Sequence, residues 1–119
     1  MFSDAFKPAV ARSVFGDTRG SLIPSILWLS FNNTLDVELS GRIEVANTDD
    51  MWLPTATGVT NNTPIVGFAD AAWIIGSISL WTAQIDGELI ATIRLDAPLT
   101  VESGADLTFD AGALRVDVA

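Results

Sequence analysis

The sequence predicts an all-β fold: an antiparallel β-sandwich of jelly-roll type with one short N-terminal helix. Three observations lead there. Asp86-Gly87 stands between two long apolar runs, 73–85 and 88–96; an Asp-Gly pair between β-type runs signals a hairpin, because both central residues of a type I′ turn need positive φ. Short alternating segments recur along the chain with turn residues between them, the pattern of a sandwich or barrel. Helical periodicity is confined to the first fifteen residues. At 119 residues the chain is read as a single domain, 1–119.

The elements follow in order. Residues 4–15 form a helical arm, capped by Ser3 or Asp4, with Pro8 tolerated in the first turn. Phe6, Val10 and Val14 repeat at i, i+4, i+8 and make one apolar stripe, and Gly16 ends the helix. An arm this short is marginal alone and must dock on the body or on a neighbour. After a loop over 17–24, residues 25–31 form a strand apolar on both faces. Leu35, Val37 and Leu39 alternate with Asp36, Glu38 and Ser40, which predicts a half-exposed strand. A shorter piece follows over 42–46. Residues 47–63 read as loop. Residues 64–68 form a strand that begins on Pro64, and 73–96 is the central hairpin. Short strands at 99–102 and 107–109 and the alternating Leu114, Val116 and Val118 close the chain. Gly67, Gly76 and Gly104 are read as marking a bulge, a close approach of strands and a turn.

Composition excludes several functions. The chain has no Cys and no His, so it lacks a thiolate, a disulfide framework, the commonest general base and the commonest metal ligand. The acidic pairs Asp49-Asp50, Asp86/Glu88 and Asp106/Asp110 lack the ligand order of a calcium loop and read as solvated turns. No metal, no cofactor and no catalytic residue is expected. The net charge of −9 argues against nucleic acid and anionic membranes. Residues 1–20 sum to +1 and the remainder carries −10. A basic arm on an acidic body, through Arg12 and Arg19, would favour head-to-tail contacts between copies. No signal peptide is visible. The apolar run 66–85 holds Asp70, Ser77, Ser79, Thr82 and Gln84 and is read as strand, not membrane span.

The C-terminal run carries a more specific signal. Val101, Gly104, Leu107, Phe109, Ala111, Gly112, Leu114 and Val116 stand at the spacing Val-x-x-Gly-x-x-Leu-x-Phe-x-Ala-Gly-x-Leu-x-Val. Upstream, Ser79-Leu80-Trp81, Gly87-Glu88-Leu89-Ile90 and Pro98-Leu99-Thr100 add to it, as do Ile23-Pro24 before 26–31, Glu44-Val45-Ala46 and the stretch from Pro54 to Gly58. The chain resembles the tail fibre-like, or minor tail, protein family of tailed phages, most closely over 98–118. It departs at Asn47-Thr48-Asp49-Asp50, where many members carry a Gly-rich segment with Tyr; this chain has no Tyr.

The resemblance implies a non-enzymatic structural protein of the virion, on a tail fibre or as a decoration or cement protein on the head. Its partners would be other copies of itself, with a trimer as one form, and other virion proteins. The run 73–85 is too apolar for a strand with one wet face, so either the monomer covers both faces or another subunit covers one. Phe6, Val10 and Val14 in the helix, Trp52 in the loop and Trp73 at the hairpin start are the candidate contacts. Trp28 and Trp81 read as core. The alternative is a carbohydrate-binding module, which would need Trp52 and Trp73 exposed and coplanar.

Overall fold

The computed structural model describes Ser3 and residues 5–118. One helix, α1 (Lys7–Arg12), precedes nine strands: β1 (Ile26–Asn32), β2 (Ile43–Ala46), β3 (Trp52–Pro54), β4 (Gly58–Asn61), β5 (Ile65–Phe68), β6 (Trp73–Trp81), β7 (Leu89–Val101), β8 (Asp106–Phe109) and β9 (Arg115–Asp117). The fold is all-β and sandwich-like with one short helix. The helix is half the expected length. Phe6 takes the N-cap with no side-chain bond, and Pro8 sits in the first turn as expected. Of the two expected caps, Asp4 lies outside the described residues, while the Ser3 carbonyl accepts from Phe6 N at 3.0 Å.

The chain divides into two compact units, one within residues 1–26, 46–65 and 109–119, the other within 27–45 and 66–108. In the first, β3, β4 and β9 form an antiparallel sheet in that order. The expected 47–63 loop thus holds a hairpin. Thr55 turns it: Thr55 N donates to the Gly58 carbonyl at 2.9 Å, and Gly58 N donates back to Thr55 Oγ1 at 2.9 Å. Trp52 pairs with Asn61 across the two strands and is 0% exposed. Phe15, just past the helix, packs on Trp52 with ring centroids 5.0 Å apart.

Two buried asparagines organise this unit. Asn47 Oδ1 accepts from Gly16 N at 2.8 Å, while its Nδ2 donates to the carbonyls of Val14 at 2.9 Å and Pro24 at 3.1 Å. Asn61 Oδ1 accepts from Leu114 N at 2.9 Å, and its Nδ2 donates to the carbonyls of Thr63 and Asp110 at 3.1 and 3.0 Å. Each amide therefore supplies loop backbone with the partners that a strand ladder would otherwise provide. Arg12 and Arg19 are engaged in the same unit. Arg12 Nη1 reaches Asp49 Oδ1 at 2.8 Å and the Trp52 carbonyl at 2.9 Å. Arg19 donates to the carbonyls of Gly16, Ile23 and Asn47. Both arginines fasten their own loops.

In the second unit, β2, β1, β6 and β7 form a four-stranded sheet in that order, and β5 pairs with β8. One face of the larger sheet is apolar: Leu27, Leu29 and Phe31 of β1 lie beside Ile78 and Leu80 of β6, all buried. Gly67 of β5 comes so close to this face that a Cβ there would lie 2.5 Å from the Phe31 ring. Two sheets meeting face to face in this way give the sandwich-like core.

A register shift falls between Ile75 and Ser77 of β6. It reverses which alternate residues face the core, so Trp73 and Ile75 share a face with Ile78 and Leu80. On β7 the step opposite runs from Arg94 to Leu99, so residues 95–98 leave the regular ladder. The strand resumes beyond Pro98 as part of β7, where two separate strands are expected from the sequence. Pro98 is tolerated because β7 is an edge strand.

The segment expected as a strand over 35–40 is a turn. Asn33 Oδ1 accepts from Leu35 N at 2.8 Å and Val37 N at 3.1 Å, and Asp36 takes a φ of 61°. Side-chain bonding to the backbone outcompetes strand pairing here, whatever the alternation of Leu35, Val37 and Leu39. A single bridge from Glu38 to Asn32 remains.

Candidate functional site

The second face of the four-stranded sheet is polar and nonetheless buried. Ser30, Asn32, Ser77 and Ser79 are each less than one-twentieth exposed. They satisfy one another: Ser30 Oγ donates to Asn32 Oδ1 at 2.9 Å, and Asn32 Nδ2 donates to Ser77 Oγ at 3.1 Å and Ser79 Oγ at 2.9 Å. Trp81 Nε1 donates to Ser30 Oγ at 2.9 Å at one end. At the other end Ser77 Oγ donates to Asp36 Oδ1 at 2.7 Å. This accounts for part of the apolar excess of 73–85. Over Ser77–Leu80 the strand is buried on both faces, one face apolar and one filled by hydrogen-bonded hydroxyls, while Ile74 and Ile85 stay exposed.

Two arginines close this face. Arg94 grips Asp36 through Nη1 at 3.1 Å and Nη2 at 2.6 Å. The Arg94 bonds, with the Ser77 hydroxyl behind them, hold the Asp36 carboxyl below its ordinary value and push the guanidinium up. Arg42 stands over the Trp81 ring, 3.9 Å from its centroid, and its side chain is only 7% exposed. Its Nε donates to Glu38 Oε1 at 2.7 Å, and its Nη1 donates to the carbonyls of Ala83 at 2.8 Å and Asp86 at 2.7 Å. Arg42 thus fastens the turn after β1 to the tip of the β6–β7 hairpin.

The tip keeps the positive φ expected at Asp86-Gly87 but is not the two-residue turn expected there: β6 ends at Trp81 rather than at 85, and Trp81 pairs with Leu89, so residues 82–88 form a longer loop. Asp86 and Gly87 take φ of 59° and 73°. Thr82 N donates to the Glu88 carbonyl at 3.0 Å, and Glu88 N donates to Thr82 Oγ1 at 2.8 Å. A cavity of about 290 Å³ opens beside the clasp, lined by Glu38, Ser40 and Arg42 on one side and Gln84, Ile85 and Asp86 on the other. No group of three or more Asp or Glu side chains gathers to hold a metal ion among the described residues. No helix there is long and apolar enough to cross a membrane.

The residues singled out from the sequence are scattered. Phe6 is 65% exposed, and Val10 and Val14 are half-buried, so the helical stripe is only partly covered. Trp52 and Trp73 are core residues: Trp52 is sealed under Phe15, and Trp73 packs on Phe31 with centroids 5.9 Å apart. Their burial corrects the reading of both as surface contacts, and it removes the aromatic platform that a carbohydrate-binding module would need. A Trp beside a Pro in a loop-rich stretch reads as exposed until the β3–β4 pairing is known. Other apolar side chains are open instead. Val66 and Phe68 project from the outer side of β5, Ile74 from β6, and Ile85 and Leu89 flank the hairpin tip. The signal for Val66 and Phe68 lies in the alternation of 65–68, where Ile65 and Gly67 face inward. Nothing in the sequence marks Arg42 as the clasp.

No curated protein and no solved structure matches the chain. A family model described as "Podophage GP4 fiber I protein gp80" matches residues 32–117. That span contains the polar face except Ser30, the Arg42 clasp, the hairpin and nearly all of the 98–118 run that carries the phage fibre resemblance. The chain therefore belongs to the podophage GP4 fiber I protein gp80 family.

Proposed function

We propose that this chain is a non-enzymatic building block of a phage tail fibre that works as a homo-oligomer, a trimer being the first form to test. The observation that carries the reading is the family match over 32–117, which supports a structural protein of the virion associated with other virion proteins. The open apolar side chains of β5 and β6, Val66, Phe68 and Ile74, supply surface for packing against another copy, and Phe6 supplies it in the first unit. Modest contacts of this kind add up when many copies are held in one particle. The chain passes between its two units four times, which supports one cooperative folding domain over 1–119.

Light scattering on the purified protein tests the oligomer. Val66→Asp with Phe68→Asp should weaken self-association about tenfold or more while leaving the circular dichroism of the fold intact. A wild-type protein that stays monomeric at every concentration overturns the homo-oligomer. Labelled antibody on intact particles tests the location: binding along the fibres supports the proposal, and binding over the head replaces it with the decoration role.

A further inference from the structure

We infer that the Asp86-Gly87 peptide is a latent isomerisation site, and that the Arg42 clasp sets how fast it converts. This inference stands on the hairpin tip alone and does not depend on the virion role.

Asp86-Gly87 is the one Asp-Gly step in the sequence, and there is no Asn-Gly. Glycine is the neighbour that least obstructs attack of its own backbone nitrogen on the preceding Asp side chain. In that reaction Gly87 N forms a bond to Asp86 Cγ, the nitrogen loses its proton, and the carboxyl loses its hydroxyl as water. The five-membered imide then takes up one water. Opening at Cγ returns Asp86; opening at the Asp86 backbone carbonyl carbon leaves the chain running through Cγ as isoaspartate. Mass is unchanged, no oxidant or cofactor enters, and the only co-reactant is water, which reaches this exposed turn.

The fold cannot escape the reactive pair by replacing Gly87. Gly87 has φ of 73°, and a Cβ there would lie 2.9 Å from both Ala83 Cβ and Thr82 Oγ1. The loop that joins the two strands of the longest hairpin therefore requires glycine at the position that makes the step labile.

What restrains it is the geometry around the Asp86 carbonyl. Attack requires the Asp86–Gly87 peptide plane to rotate until its nitrogen faces Cγ. The carbonyl of that plane accepts from Arg42 Nη1 at 2.7 Å. Arg42 cannot follow the rotation freely. Its other bonds run to Glu38 and to the Ala83 carbonyl, and Trp81 lies beneath it. The bonds between Thr82 and Glu88 close the loop from below.

The test is ageing of the full-length protein at mildly acidic pH, with isoaspartate at position 86 read by peptide mapping and by methyl transfer from an isoaspartyl methyltransferase. The urea-unfolded chain gives the unrestrained rate. The folded wild type should convert well below it, and Arg42→Gln should convert about tenfold faster than wild type, the effect of losing one charge-assisted hydrogen bond from the barrier. Glu38→Ala, at a solvent-exposed position, keeps the fold and frees the guanidinium; it should raise the rate in the same direction. Near-ultraviolet dichroism confirms that each variant is folded. Folded wild type converting as fast as the unfolded chain overturns the inference. So does a folded Glu38→Ala at the wild-type rate, or an unfolded chain that forms no isoaspartate at 86.

Discussion

The two units of this chain both bury asparagine, but they use it differently. In the first unit Asn47 and Asn61 bond to backbone: Gly16 N and the Val14 and Pro24 carbonyls for one, Leu114 N and the Thr63 and Asp110 carbonyls for the other. In the second unit Asn32 bonds only to hydroxyls, those of Ser30, Ser77 and Ser79, while strand ladders satisfy the backbone. A unit rich in loops needs side chains to stand in for a missing ladder. A unit rich in strands can carry a polar face that its backbone does not depend on.

The difference predicts unequal costs. Asn47→Leu or Asn61→Leu strands three backbone groups each and should lower stability by about 3 kcal/mol or more in urea unfolding, enough to leave either variant marginal. Changing Asn32→Val together with Ser30→Ala, Ser77→Ala and Ser79→Ala removes the buried donors and acceptors as a set, leaving only the half-buried Trp81 ring N–H to find water, and should cost clearly less, about 1–2 kcal/mol. Equal losses would break the comparison. A smaller loss is expected where the second unit relies on close packing. Gly67→Ala sets a methyl against the Phe31 ring and should cost about 1–3 kcal/mol; pairing it with Phe31→Leu should recover part of that, measured as a double-mutant cycle.

The smallest effect sharpens the electrostatics of the polar face. Asp36 has a lowered carboxyl pKa in the folded chain, so its contribution to stability is present above the ordinary value of 3.8 and fades as pH falls through the folded value. Acid titration of unfolding should show a loss below the ordinary value that Asp36→Asn lacks. A parallel pair of curves would mean that Arg94 does no more for Asp36 than solvent does.

Much of this was readable from residue order. The positive φ at Asp86-Gly87, the strand expected over 25–31 and found over 26–32, and the phage fibre resemblance over 98–118 follow from local patterns, whereas Trp28 and Trp81, read as core, are only half-buried beside the polar face. The misses share a cause: a non-local partner decided each of them. Alternation at Leu35, Val37 and Leu39 lost to Asn33, whose side chain bonds the turn. Strict alternation along β6 does not give its faces, because one register shift at Gly76 reverses their parity. Trp52 reads as a surface contact because β3 and β4 pair through Thr55–Gly58, a turn that alternation does not mark. The candidate site is the harder part to read. Its members, Arg42, Trp81 and Asp86, are far apart in sequence and ordinary in type, and only the fold makes a clasp of them.

The interleaving of the two units has a consequence for how such a gene can change. No contiguous stretch encodes either unit, since each is assembled from segments separated by the other. Recombination with a related phage at any point between residues 27 and 108 would join halves of two different cores. Exchange of one unit alone as a contiguous cassette is therefore closed to this chain, and its surface is freest to diversify residue by residue, in turns such as 33–42 and 82–88.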